Sequence, residues 1–209
     1  MQFIKKYWRE IIVAVLLFAT LSVWYLVYAH RQTNLLRVYF LNVGKGDSIL
    51  IDSPTHERIL IDGGPDATVL TRLGQVLPFG ERNIDAMIET NPSASSITGL
   101  VNVLKEYKVG MFVSTEISLT SYVHILLNQQ IQNLNIKKVS TQSGTTLDIG
   151  NGAELQFVPA RLNDVSRSGG FSKSTIAQIV YGTQTILLPA TSTPKMIEID
   201  TDGTKLIYK

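Results

Sequence analysis

No cysteine occurs among the 209 residues, so disulfides, thiolate-held zinc and a cysteine nucleophile are all excluded. Histidine is nearly as scarce: His30, His56 and His124 are the whole supply, and no two of them stand at metal-ligand spacing. Charged residues make up only 17% of the chain, where about 25% is usual for a soluble protein. Repeats and low-complexity tracts are missing too, and the length suits one ordinary domain with a small addition. With 44% of its residues hydrophobic, a chain this poor in charge is expected to meet lipid somewhere.

The place for that meeting is Ile11 to Ala29, an apolar run without a charged side chain and close to the ~20 residues that cross a bilayer core. Lys5, Lys6 and Arg9 precede it, and Trp8, Trp24, Tyr25 and Tyr28 stand near its ends, where aromatic rings favour the membrane interface. This pattern predicts a cytoplasmic stub at 1–10, a transmembrane helix at 11–29, a linker at 30–36 and one exported domain at 37–209. The expected location is a bacterial cytoplasmic membrane with the N-terminus inside. A cleaved signal peptide ending near Val27-Tyr28-Ala29, with secretion of the rest, is the competing reading. Either way the remainder crosses the membrane. Setting aside the first 30 residues, with Lys5, Lys6, Arg9 and Glu10, leaves that remainder formally neutral. A general electrostatic grip on DNA or anionic lipid needs a clustered basic excess, and no such run is visible.

Short β-branched runs at Leu36–Val43, Asp47–Ile51 and Arg58–Asp62, parted by glycine and turn residues, predict a three-stranded antiparallel opening. Apolar spacing then predicts helices at Ala67–Leu77, Ile97–Tyr107 and Leu119–Leu134, with strands at Ile84–Glu89 and Met111–Thr115 between them. Further strands are expected at Leu147–Ile149, Glu154–Val158, Ile176–Tyr181 and Thr185–Leu188. Asp202-Gly203, between Ile197/Ile199 and Leu206/Tyr208, is a strong hairpin signal. The order implies an α+β architecture with helices packed outside a mixed sheet system.

VYFLNVGKGDSIL at Val38–Leu50, followed by LIDGG at Leu60–Gly64, resembles the opening of the metallo-β-lactamase-like domain of ComEC-type competence proteins, the channels that bring DNA into bacteria. The family's pattern there is N/D-V-G-Q-G-D and then I-D-G-G, and Lys45 replaces its glutamine. IDAMIETNPSASSITGLVNVLKEY at Ile84–Tyr107 is similar to the family's metal-loop segment and the helix after it. Gly144–Ala160 and Ser174–Thr191 look like its later strand segments. The resemblance implies an αββα sandwich, shortened toward the C-terminus, and gives Gly44, Gly46, Asp47, Asp62, Gly63, Gly64 and Gly99 as retained motif positions.

In that family an H-x-H-x-D-H loop holds zinc or manganese and activates a water for hydrolysis. Here the corresponding positions are Asn91, Ser93, Ser95 and Ser96, and Thr191 stands where a bridging aspartate is expected. Neutral amide and hydroxyl oxygens are poor ligands for such an ion. No histidine follows His124 to supply the family's later motif. The chain is therefore expected to be a pseudo-hydrolase with no metal cofactor, acting by binding or scaffolding through a protein partner, as an accessory to DNA uptake. The alternative is a hydrolase, nuclease or phosphodiesterase, that uses Asp47, Asp62 and Glu89 around a hard ion such as Mg²⁺. Asp62 is expected instead to accept hydrogen bonds from its own glycine turn or from the 91–96 loop.

Weaker patterns dissolve on inspection. The serines at 93–96 lack a G-x-S-x-G elbow and a neighbouring histidine, and Gly44-Lys45-Gly46 lacks the helix that a phosphate loop requires. Asp200-Thr201-Asp202-Gly203 lacks the closing glutamate of a calcium loop, leaving a turn.

Overall fold

The apolar run forms one long helix, α1 (Gln2–His30). The computed structural model describes residues 2–30, 35–115, 121–141, 144–159, 175–188 and 197–208, and it divides into one unit up to Asn34 and a second from Leu35. From Tyr7 to Tyr25 no residue of α1 is buried, and Phe18, Leu21 and Trp24 are largely exposed. Exposed apolar area on this scale is not a feature of a soluble surface. The helix's length and composition suit a membrane anchor or a signal sequence.

The second unit opens with β1 (Leu36–Phe40), β2 (Ile49–Asp52) and β3 (Arg58–Ile61), antiparallel as their alternation predicts. After α2 (Thr68–Val76) the chain returns as β4 (Asn83–Glu89), parallel to β3. The same excursion repeats twice: α3 (Ala94–Glu106) leads to β5 (Lys108–Thr115), and α4 (Tyr122–Asn133) to β6 (Lys137–Thr141), each strand parallel to the one before. A second, antiparallel sheet follows from β7 (Thr146–Asp148), β8 (Ala153–Pro159), β9 (Thr175–Tyr181) and β10 (Gln184–Leu187). The last hairpin, β11 (Ile197–Thr201) and β12 (Leu206–Tyr208), joins the first sheet by pairing β11 with β1. That sheet has the order β12-β11-β1-β2-β3-β4-β5-β6, with β6 and β12 at its edges.

Two cores hold these layers. Alternate residues of the large sheet, among them Val38, Ile51, Ile61 and Ile88, pack against Leu155, Phe157 and Ile179 of the small sheet. The opposite set, Leu50, Leu60, Met87 and Phe112, packs against Leu73 of α2, Leu100 of α3 and Leu127 of α4. Each fully buried side chain of this size contributes ~1.5–3 kcal/mol. On the other face of the small sheet Gln178 Nε2 donates to Gln156 Oε1 at 2.9 Å and Gln156 Nε2 to Glu154 Oε2 at 3.0 Å, beside Val180, which pairs with Glu154. Among the described residues of the second unit, α2, α3 and α4 all pack on the large sheet, so the layers described there are helix, sheet and sheet.

The structure also corrects several boundaries. Helix α3 starts at Ala94, three residues earlier than expected, so Ser95 and Ser96 lie in its first turn and not in a loop. Helix α4 starts at Tyr122, while Leu119 lies outside the described residues. Ser121 caps α4 by accepting a hydrogen bond from the His124 amide at 3.2 Å. A Ser121→Ala chain is expected to lose ~0.5–2 kcal/mol of stability in thermal unfolding, the usual value of an N-cap.

Candidate functional site

The residues singled out by the sequence gather where β3 and β4 end and α3 begins, and backbone contact draws them together. Gly46, at φ +141°, lies so close to α3 that a Cβ there would sit 2.2 Å from the Ser95 carbonyl oxygen. Gly64, at φ +71°, leaves room for Val43 in the same way. Hydrogen bonds fasten the junction: the Gly63 amide donates to Ser96 O at 2.7 Å, Gly64 N to Asp47 O at 3.0 Å and Gly99 N to Gly64 O at 2.9 Å. Gly44 takes φ +82° with open space around it, and its amide donates to Asn42 Oδ1 at 3.2 Å. Packing of the two loops on each other and on α3 thus accounts for Gly46, Gly63, Gly64 and Gly99, while Gly44 serves its own turn.

Asp62 is the centre of this junction. It is buried, and it adopts φ +54°, a conformation uncommon outside glycine. Its Oδ1 accepts the Thr90 amide at 3.0 Å, its Oδ2 accepts the Thr90 hydroxyl, and its own carbonyl accepts Ser48 Oγ at 3.1 Å. The donor to its carboxylate is thus Thr90, one residue before the 91–96 segment. Burial pushes its carboxyl from the ordinary 3.8 up to about 7, against the two Thr90 bonds, with the Asp47 and Glu89 carboxylates adding to the rise. Burial likewise raises Asp47 to about 6. Glu89 is raised to about 7 by burial, with Lys138 pulling the other way.

The segment standing at the family's metal-loop positions is knitted to itself. Asn91 Oδ1 accepts the Ser93 amide at 3.0 Å, and the Ser93 hydroxyl lies 3.0 Å from Ser95 Oγ and 3.2 Å from Ser96 Oγ. Ser93 occupies the N-cap of α3, yet its hydroxyl turns to these two serines and not to a helix amide. These atoms are neutral, and they already satisfy one another. They do not fit a zinc or manganese ion, which wants imidazole nitrogen or carboxylate oxygen. Asp47, Asp62 and Glu89 do feel one another's charge through Asp62. Among the described residues, however, no three His, Asp or Glu side chains come together in an arrangement that could hold a metal ion. Thr191 lies outside the described residues.

His56 sits in the turn between β2 and β3, at φ +66°, with its amide donating to Ser53 O at 2.9 Å. His30 ends α1. His124 is brought to Glu89: its Nε2 lies 3.5 Å from Glu89 Oε1, and Asn128 Nδ2 lies 3.3 Å from the same nitrogen. Reading the sequence missed three members of these groups, Thr90, Asn128 and Lys138. His124 and Asn128 stand at i, i+4 on one helix, a spacing that faces side chains toward each other. That spacing was the available signal.

Neither a family model nor a curated protein matches the chain. Among solved structures it is similar to the metallo-β-lactamase fold protein YhfI from Bacillus subtilis, at 15% identity and a TM-score of 0.49, over 74% of this chain and 62% of that one. It is similar to a metallo-β-lactamase with a HARLDQ motif from Cronobacter sakazakii, at 14% and 0.47, over 80% and 65%. A third is MEM-A1, a subclass B3 metallo-β-lactamase from a soil metagenome library, at 12% and 0.46, over 77% and 58%. The chain spans under two thirds of the length of each. At these values the likeness is one of general layering and carries nothing about activity.

Proposed function

We propose that the second unit is a binding or scaffolding domain on a metallo-β-lactamase-like frame that has given up hydrolysis. In this reading α1 anchors it in a bacterial cytoplasmic membrane, N-terminus inside, and a protein partner meets it outside as an accessory to DNA uptake. The observation that carries the reading is the state of Asn91, Ser93, Ser95 and Ser96. Their side chains are spent on one another and on the start of α3, while the glycines around them keep the junction packed. A frame maintained around an inert loop suits recognition better than turnover.

Metal analysis of the full chain purified in detergent tests this directly. Zinc and manganese are expected well below one ion per chain, and EDTA is expected to leave the thermal unfolding midpoint where it was, since a ligand that binds only the folded state would raise it. Firmly held stoichiometric metal that disappears in an Asp62→Asn chain would overturn the reading. The partner class has its own measurement, a titration with fluorescent single-stranded DNA at two salt concentrations. Formal neutrality beyond the first 30 residues supports weak binding; tight, steeply salt-dependent binding would replace the protein partner with DNA.

A further inference from the structure

Away from the Asn91–Ser96 segment, the groove between α4 and β6 holds a cavity of about 690 Å³, within the ~300–1,000 Å³ typical of small-molecule sites. Its lining mixes polar groups with apolar ones. Asn128, Gln132 and Asn135 present amides, His124 an imidazole and Lys138 an ammonium, over a floor from Ile131 and Ile136. None of the described lining residues is acidic.

The polar groups at one end are held in place. Lys138 Nζ donates to Asn128 Oδ1 at 2.6 Å, and Asn128 Nδ2 donates to the His124 carbonyl at 2.9 Å while lying 3.3 Å from His124 Nε2. The Lys138 ammonium stands 6.0 Å over the Phe112 ring. Behind His124 is Glu89, with a side chain only 2% exposed and an Oε1 that has no hydrogen-bond partner among the described residues. A buried carboxylate is costly without a cation or proton donor at hand, and His124 Nε2, 3.5 Å away, fills that place. Lys138 supplies the ammonium at this end of the cleft, and Glu89 lies outside its described lining.

We propose that the cleft between α4 and β6 binds a small anion, a carboxylate or phosphate group on a polar body, with Lys138 and His124 meeting the acid oxygens, Asn128 holding both in place and the Gln132 amide meeting the rest. The geometry favours it because the ammonium, amide and imidazole are already fastened to one another, so little side-chain freedom remains to be lost on binding. Charge-assisted hydrogen bonds to an oxyanion are the strong kind. This site is independent of the Asn91–Ser96 segment, and it stands or falls apart from the loss of hydrolysis.

With three histidines in the chain, imidazole resonances report His124 individually once a His124→Gln chain has assigned them. The experiment titrates the full chain in detergent with inorganic phosphate and, separately, with N-acetylglycine, at ionic strength held constant with sodium chloride. A saturable shift of the His124 signals is expected with at least one probe, with a Kd at or below ~1 mM and with the His56 signals unmoved. The probe that binds identifies the acid group. Lys138→Met, a change at an exposed side chain, is expected to weaken binding about tenfold or more, the scale of one charge-assisted contact. Lys137→Met, which removes the same charge one residue earlier on β6, is expected to leave it unchanged. Absence of a saturable His124 shift with both probes would overturn the proposal, as would equal losses in the two lysine variants.

Discussion

A Gly99→Ala chain is expected to unfold at a temperature lower by ~6–12 °C, although alanine is the better helix former. Replacing an exposed helical glycine by alanine ordinarily stabilises by about 1 kcal/mol. At position 99 the added methyl would lie 1.7 Å from the Gly63 carbonyl oxygen and 2.5 Å from its carbon, with Asp66 O at 3.0 Å. These obstacles are backbone, so no rotamer change relieves them. Either α3 or the Asp62-Gly63-Gly64 turn must move, breaking the bonds from Gly63 N to Ser96 O and from Gly99 N to Gly64 O. Overpacking of this kind costs ~1–3 kcal/mol even where side chains can shift, and more against main chain. A net loss near 3 kcal/mol, at ~2–4 °C per kcal/mol for a domain of this size, gives the expected shift. The control is Gly74→Ala in α2, where nothing lies within 4 Å of the new methyl. There the same substitution is expected to raise the midpoint by a few degrees. Scanning calorimetry of the two variants side by side decides it: equal shifts of the same sign would mean that α3 does not rest on the glycine turn.

Local chemistry made some of this visible in the chain and hid the rest. The opening strands alternate cleanly, and the Asp202-Gly203 turn announces its hairpin: Gly203 takes φ +88°, and Asp202 Oδ1 accepts the Thr204 and Lys205 amides. Strand β6 escaped notice because KKVST carries little apolar signal. It is an edge strand, where lysine is expected to guard against further pairing. The early start of α3 was readable in principle from Ser93, a good N-cap type, but the following serines suggested a loop. In the candidate site, the loss of imidazoles at Asn91, Ser93, Ser95 and Ser96 is a property of the sequence in register. The partnership of Asp62 with Thr90 and that of Glu89 with His124 each join residues at least 28 positions apart. No local pattern encodes such contacts, which arise only when β3, β4 and α4 are laid side by side.

Burial of the Asp62 carboxyl sets the largest pH effect, and the Thr90 bonds oppose it. In an Asp62→Ala chain the Thr90 amide and hydroxyl lose their acceptors beside a buried junction, at ~1–3 kcal/mol for each donor left unsatisfied. An Asp62→Asn chain is expected to behave differently. Its Oδ1 still accepts from the Thr90 amide, and its Nδ2 donates to a Thr90 hydroxyl that turns around. Above pH 7 the asparagine also spares the fold a buried charge next to Asp47 and Glu89. The sign follows from proton binding. Asp62 is raised to about 7 from 3.8, Asp47 to about 6 from 3.8 and Glu89 to about 7 from 4.5, all mainly by burial. Between these values the folded chain holds more protons than the unfolded one, so stability falls as pH rises. The contribution is complete below the unfolded values and is lost as pH passes through about 6 to 7. Denaturant unfolding of the full chain at pH 5 and pH 8 is therefore expected to show the higher stability at pH 5. The gap should narrow in Asp62→Asn, and Asp62→Ala should be the weakest of the three at pH 5. A wild-type chain that gains stability toward pH 8 would mean that the Thr90 bonds to the carboxylate outweigh its burial, and an asparagine variant as weak as the alanine one at both pH values would mean that the side chain is not held by Thr90 in the way the geometry requires.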